Sequence, residues 1–256
     1  MIKFFRNIRK TLIEESKTTK YLKYAIGEIV LVVFGILIAL SINNWNDKKK
    51  NDETELLYYN RILEDFELDK KLIDELKQKS DYRIELSKKT LLDLNSGTKN
   101  KHEIINQFIL SGRSEVYQPR NVTFKDLISS GNLKLINDIT IKNSLIQYYS
   151  ELENKQFQLK QNRDETTRRV FDLVNTNIEF GAIQEFEYVH KLLEPEILEF
   201  LPNYDWTKDK NSEYYKKLQN FLLFNIAMAD REKQHLSAIN SLMETPYQLL
   251  LAKCKK

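Results

Sequence analysis

Forty lysines and arginines against 37 acidic residues leave this chain of 256 residues at +3, so no overall basic excess argues for nucleic acid as a partner. A single cysteine, Cys254, excludes an intramolecular disulfide and a cysteine metal site. Six glycines and four prolines are too few for the turns of an all-β or doubly wound fold. Long helices with few joints are what remains.

The leader carries Ile2, Phe5, Ile8 and Leu12 at helical spacing, with Lys3, Arg6, Arg9 and Lys10 between them. This is the pattern of a short helix lying in a membrane interface, its basic side chains on anionic lipid headgroups; a disordered basic leader is the alternative. From Ile29 to Leu40 there is no polar side chain, and Tyr24–Trp45 spans 22 residues, roughly 33 Å of helix and close to the thickness of a bilayer core. Tyr21 and Tyr24 at one end and Trp45 at the other suit the two interfacial belts. Seven lysines and arginines precede the span, against Lys48, Lys49, Lys50 and Arg61 in the equivalent window behind it, which favours a cytoplasmic N-terminus and an exported C-terminal domain. A cleavable signal peptide is the competing reading, since Ala39 and Ser41 suit a small-x-small site; a 23-residue leader and no helix breaker before Asn43 argue against it. Within the span, Gly35 and Ala39 form a small-xxx-small pair that permits close approach of a second helix. Glu28 lies about one turn inside, where a carboxylate must snorkel, pair or be protonated.

Behind the span no glycine or proline occurs before Gly97, and Leu56, Tyr59, Leu63, Phe66, Ile73 and Leu76 form an apolar seam. One helix is expected to run almost unbroken from the membrane into the domain. The asparagines at 43, 44, 46 and 51 are its weakest link, and Asn95, Ser96 and Gly97 its stop. Two short helical pieces follow, Glu103 to Leu110 ending at Gly112, and Phe124 to Ile128. Asp138 reads as the N-cap of the next long helix, with Ile141, Leu145, Tyr148, Tyr149 and Leu152 at core spacing. Between Glu153 and Arg169 the apolar residues thin, so that section is expected to be solvated. Gly181 to Lys210 reads as a short helix and an irregular crossover. The last long helix has a heptad at Tyr215, Leu218, Leu222, Ala229, Leu236, Ile239 and Met243, interrupted at Asn225 and Glu232 and expected to end at Pro246. The expected fold is all-α: a transmembrane helix (21–46, after the leader 1–20), then an antiparallel bundle of three to four long helices with short helical connectors (47–256).

Glu187 with His190, and Glu232 with His235, each complete a Glu-x-x-His, the half-site of di-iron carboxylate bundles, which also need glutamates from two further helices. Glu64 or Glu67 and Glu151 or Glu153 are the available donors, but with 23 glutamates in the chain such pairings arise easily by chance. There is no Gly-x-Ser-x-Gly, and no glycine loop able to cradle phosphate. The pattern points to no catalytic residue and no cofactor.

Two passages resemble a known family. Tyr24–Asp47, YAIGEIVLVVFGILIALSINNWND, is similar to the N-terminus of a family of uncharacterised single-span bacterial membrane proteins, a domain of unknown function. Thr123–Glu153, with its Ser-Ser-Gly turn and the paired tyrosines Tyr148 and Tyr149, is similar to that family's central motif. The resemblance implies a membrane anchor with an exported helical domain, and that Gly27, Glu28, Gly35, Asn43, Asn44 and Trp45 belong to the family pattern. The anchor and the mixed-charge bundle point to an interaction protein of the bacterial inner membrane whose periplasmic bundle binds an envelope protein or a second copy of itself. A ligand-binding sensor, with a pocket beneath Tyr148, Tyr149 and Trp206, is the second reading, and a carboxylate and histidine metal bundle the third.

Overall fold

The computed structural model describes residues 18–175, 178–186, 189, 191–202 and 204–255. The expected interfacial helix with Lys3, Arg6, Arg9 and Lys10 falls outside them, as do Glu187, His190 and the side chain of Tyr21. Among the described residues there are seven helices and no strand. The chain divides into two compact units, Met1–Leu57 and Tyr58–Lys256.

Helix α1 runs from Thr18 to Ser96. The asparagines do not break it; Asn43 donates to Asp47 one turn on, at 3.0 Å. In the N-terminal unit an 18-residue stretch of this helix has a mean hydropathy of 2.7 and none of it is covered, which makes the helix long and apolar enough to cross a membrane. Tyr24 and Trp45 are both exposed. Glu28 is half-buried. A Cβ added at Gly27 or Gly35 would meet nothing within 4 Å.

The second unit begins with the far part of α1, which stops where expected: Gly97 takes a φ of +64° and its N–H donates to the Asp93 carbonyl, a left-handed ending that costs glycine little. There follow α2 (Lys101–Gly112), α3 (Val122–Ser129), α4 (Ile139–Asn175), α5 (Ala182–Glu185), α6 (Pro195–Phe200) and α7 (Glu213–Cys254). Asn100 starts α2 with a capping box, its side chain accepting from Glu103 N–H while Glu103 accepts from Asn100 N–H. Asp138 caps α4 by accepting from Thr140 and Ile141 N–H, and the hydrogen bond from Lys253 first, with those capping bonds after it, holds its carboxyl below the usual range.

Two apolar cores result. The first joins Phe66, Ile73 and Leu76 of α1, Leu127 of α3, Leu145 and Leu152 of α4, and Leu236 to Leu250 of α7. The second joins Leu94 of α1, Phe108 of α2, Val174 of α4, Phe180, Trp206, and Tyr215 to Leu222 of α7. Helices α1 and α4 thus pass from first core to second, and α7 returns antiparallel to both. The short helices α2 and α3 are core elements in their own right: Ile104, Ile105, Phe108 and Leu127 are fully buried. At Gly112 an added Cβ would lie 2.7 Å from Val170 and 3.3 Å from Phe221, so the end of α2 meets α4 and α7 only because that side chain is absent.

Two expectations are corrected. Pro246 does not end the last helix; α7 continues through it to Cys254. A helical proline costs about 3 kcal/mol. Beyond it Leu250 is fully buried, and Tyr247, Leu249, Leu251 and Cys254 pack against the first core, each apolar side chain contributing about 1.5–3 kcal/mol when buried completely. The stretch Glu153–Arg169 is not simply solvated: its outer face carries ion pairs such as Arg169–Glu165, but Asn162 and Thr166 are buried.

Candidate functional site

Between the two cores lies a layer of buried polar groups. Along α1 the four-three spacing of the seam continues past Leu76 onto Ser80, Arg83, Ser87, Thr90 and Leu94, all buried. Facing it on α7, Asn225 and Glu232 fall at heptad positions without a break in phase. Arg83, 4% exposed, donates Nη1 to Glu232 Oε2 at 2.7 Å, Nη2 to Asn225 Oδ1 at 3.3 Å and Nε to the Ser111 carbonyl at 3.3 Å. Asn225 Nδ2 donates to Ser87 Oγ and to the same Ser111 carbonyl. Ser80, Ser87 and Thr90 turn their hydroxyls back onto carbonyls one turn earlier in α1. Arg83 is almost out of water, and its pair with Glu232 is supported by the bonds that its other nitrogens make to Asn225 and the Ser111 carbonyl. The layer therefore fixes the register of α1, α2 and α7.

A second polar cluster sits inside the first core. Asp69, 1% exposed, accepts the Arg120 backbone N–H on both oxygens at 3.1 Å, with the Arg120 guanidinium at 3.5 Å. Burial pushes its carboxyl up to about 6, although the Arg120 contacts oppose the rise. Around it Tyr149 stacks on Phe124 at 4.0 Å, and Tyr148 meets Phe66 and Tyr149 edge-on at 5.0 and 4.9 Å. Burial first, and the nearby negative charge after it, raise the phenols of Tyr117, Tyr148 and Tyr149 above their ordinary value. Their three hydroxyls and Asp65 Oδ2 are buried without a hydrogen-bond partner among the described residues.

A groove of about 310 Å³ adjoins both clusters. Glu232 of the layer and Tyr117 of the aspartate cluster line it, together with Leu236, and with Leu159, Lys160 and Arg163 of α4.

The residues singled out from the sequence are distributed differently from what was expected. Tyr148 and Tyr149 belong to the first core and Trp206 to the second, where its Nε1 donates to the Phe180 carbonyl at 3.0 Å; the three sit in two separate cores rather than around one site. Of the di-iron candidates, one half-site, Glu187 with His190, lies outside the described residues. Glu64, Glu67, Glu151 and Glu153 are exposed, and Glu232 is bound to Arg83. His235 is half-buried, with Nε2 lacking a partner among the described residues; burial first, then Lys155 and Arg231, lower its pKa. Among the described residues no group of three or more histidine, cysteine or acidic side chains could hold a metal. Asp69, Arg83, Tyr117 and Arg163 were not anticipated. Heptad phase could have found Arg83, because the apparent interruptions at Asn225 and Glu232 fall in register with the polar residues of α1.

These features define an all-helical protein with one long apolar N-terminal helix and a bundle whose two cores are separated by a polar layer. By sequence the chain belongs to DUF6090, a family of unknown function, whose model matches residues 28–187. The matched range takes in most of the Tyr24–Asp47 passage and all of Thr123–Glu153. No curated protein and no solved structure matches the chain.

Proposed function

We propose that the protein is a non-catalytic interaction module of the bacterial envelope. In this reading the anchor, residues 21–46, crosses the inner membrane once, the N-terminus is cytoplasmic, and the bundle stands in the periplasm to bind another envelope protein or a second copy of itself. The observation that carries the reading is the uncovered apolar stretch of α1: exposing Phe34, Leu37 and Ile38 to water at more than half their surface each is unfavourable, whereas lipid accommodates them. The basic excess before the span supports the orientation.

Topology is tested with a thiol. Cys254 itself is half-buried, and burial raises its pKa, so it reacts slowly; Ala252, exposed on α7, is the better site. An Ala252→Cys, Cys254→Ser variant should react with an impermeant maleimide once the outer membrane is permeabilised. Reaction only after the inner membrane is broken would overturn the orientation. Cross-linking in native membranes should then trap a complex, and a monodisperse monomer with no cross-linked partner would overturn the interaction role.

A further inference from the structure

We infer that the groove beside Tyr117 binds a small carboxylate with an apolar body, the acid group held by Arg163. At about 310 Å³ the groove is at the lower end of small-molecule sites. Leu236, which is fully buried, Leu159 and the largely buried Tyr117 give it an apolar floor, and Phe157, 60% exposed, forms an apolar rim.

The sign of the ligand follows from which charges are already paired. Both oxygens of Glu115 accept from Lys79 Nζ, at 2.6 and 2.7 Å, and Glu232 is paired with the buried Arg83. Lys160 and Arg163 share one carboxylate: Lys160 Nζ donates to Asp164 Oδ2 at 2.8 Å, and Arg163 donates Nη2 and Nε to Asp164 Oδ1 at 2.7 and 3.2 Å. Lys160, Arg163 and Asp164 together therefore carry one net positive charge at the groove. A monoanion satisfies this wall, and a charge-assisted hydrogen bond to a guanidinium is among the stronger polar contacts. A cation would meet repulsion from α4 and find both groove carboxylates taken.

The inference stands apart from the interaction role, because binding is read without any protein partner. The test is titration calorimetry on the full chain in lipid nanodiscs, with empty nanodiscs as blank, using 3-phenylpropionate and its uncharged counterpart 3-phenylpropanol. Saturable binding of the acid, at least tenfold tighter than of the alcohol, is expected. Arg163→Gln should bring the acid down to the level of the alcohol, Arg163→Lys should retain binding within a few-fold, and Gln156→Trp, which fills the groove, should abolish it. Thermal unfolding of each variant should match the parent, which separates lost binding from lost fold. No saturable heat from the acid, equal binding of acid and alcohol, or indifference to Arg163→Gln would each overturn the assignment.

Discussion

The bundle buries charge in two places, and it treats the two differently. In the Arg83 layer the charge meets an opposite charge at 2.7 Å, and the remaining donors reach Asn225 and the Ser111 carbonyl. In the first core Asp69 has a backbone N–H and only a distant guanidinium, while the hydroxyls of three neighbouring tyrosines go unused. The contrast separates two roles for buried polarity. A satisfied network specifies which helices pair and in what register, whereas a poorly compensated carboxylate lowers stability at neutral pH and makes it depend on protonation.

Removing one partner of the layer should have the largest effect. Glu232→Leu leaves Arg83 ionised and buried without its carboxylate, and should cost about 3–5 kcal/mol in denaturant unfolding. Adding Arg83→Leu should recover most of that loss; if the double variant is as unstable as the single, the layer is not an interdependent pair.

Asp69→Asn should act in the opposite direction. The folded-state carboxyl lies at about 6, above its ordinary 3.8, so the folded form binds the proton more tightly than the unfolded. Stability from this group is full below about pH 4 and is lost as pH rises towards 6. The amide still accepts the Arg120 N–H but carries no charge. The variant should therefore be more stable than the parent at pH 7.5 by about 1–3 kcal/mol, with the slope between pH 4 and 6 flattened in unfolding measured across that range.

Smaller effects sharpen the comparison. Asn100→Ala removes the cap of α2 far from either cluster and should cost about 1 kcal/mol, setting the scale for an ordinary polar contact. Tyr148→Phe removes a hydroxyl that has no partner, so its cost should fall below that of Asn100→Ala, about 0.5 kcal/mol or less. A larger cost in thermal unfolding would mean that the tyrosine cluster is as well satisfied as the Arg83 layer.

Much of this architecture was legible in the chain itself, because the physics behind it is local. The run from Ile29 to Leu40 needs no partner to be apolar. The absence of glycine and proline between 35 and 97 sets the extent of α1, and Gly97 and Asp138 mark a stop and a start through their own backbone and side-chain chemistry. The apolar heptad of α7 likewise announces a buried face, wherever its partner lies.

Tertiary contacts decided the rest. Pro246 is tolerated because residues after it find the first core. Asn225 and Glu232 read as flaws in a seam until Arg83, some 140 residues earlier in the chain, is placed opposite them. Asp69 resembles any other helix-surface aspartate until Tyr117 and Arg120 close over it. A charge's burial and its partner depend on which surfaces meet, and those contacts join residues far apart in sequence. Local pattern therefore determined the helices, while the pairing of those helices determined which of their polar groups became structural and which line a groove.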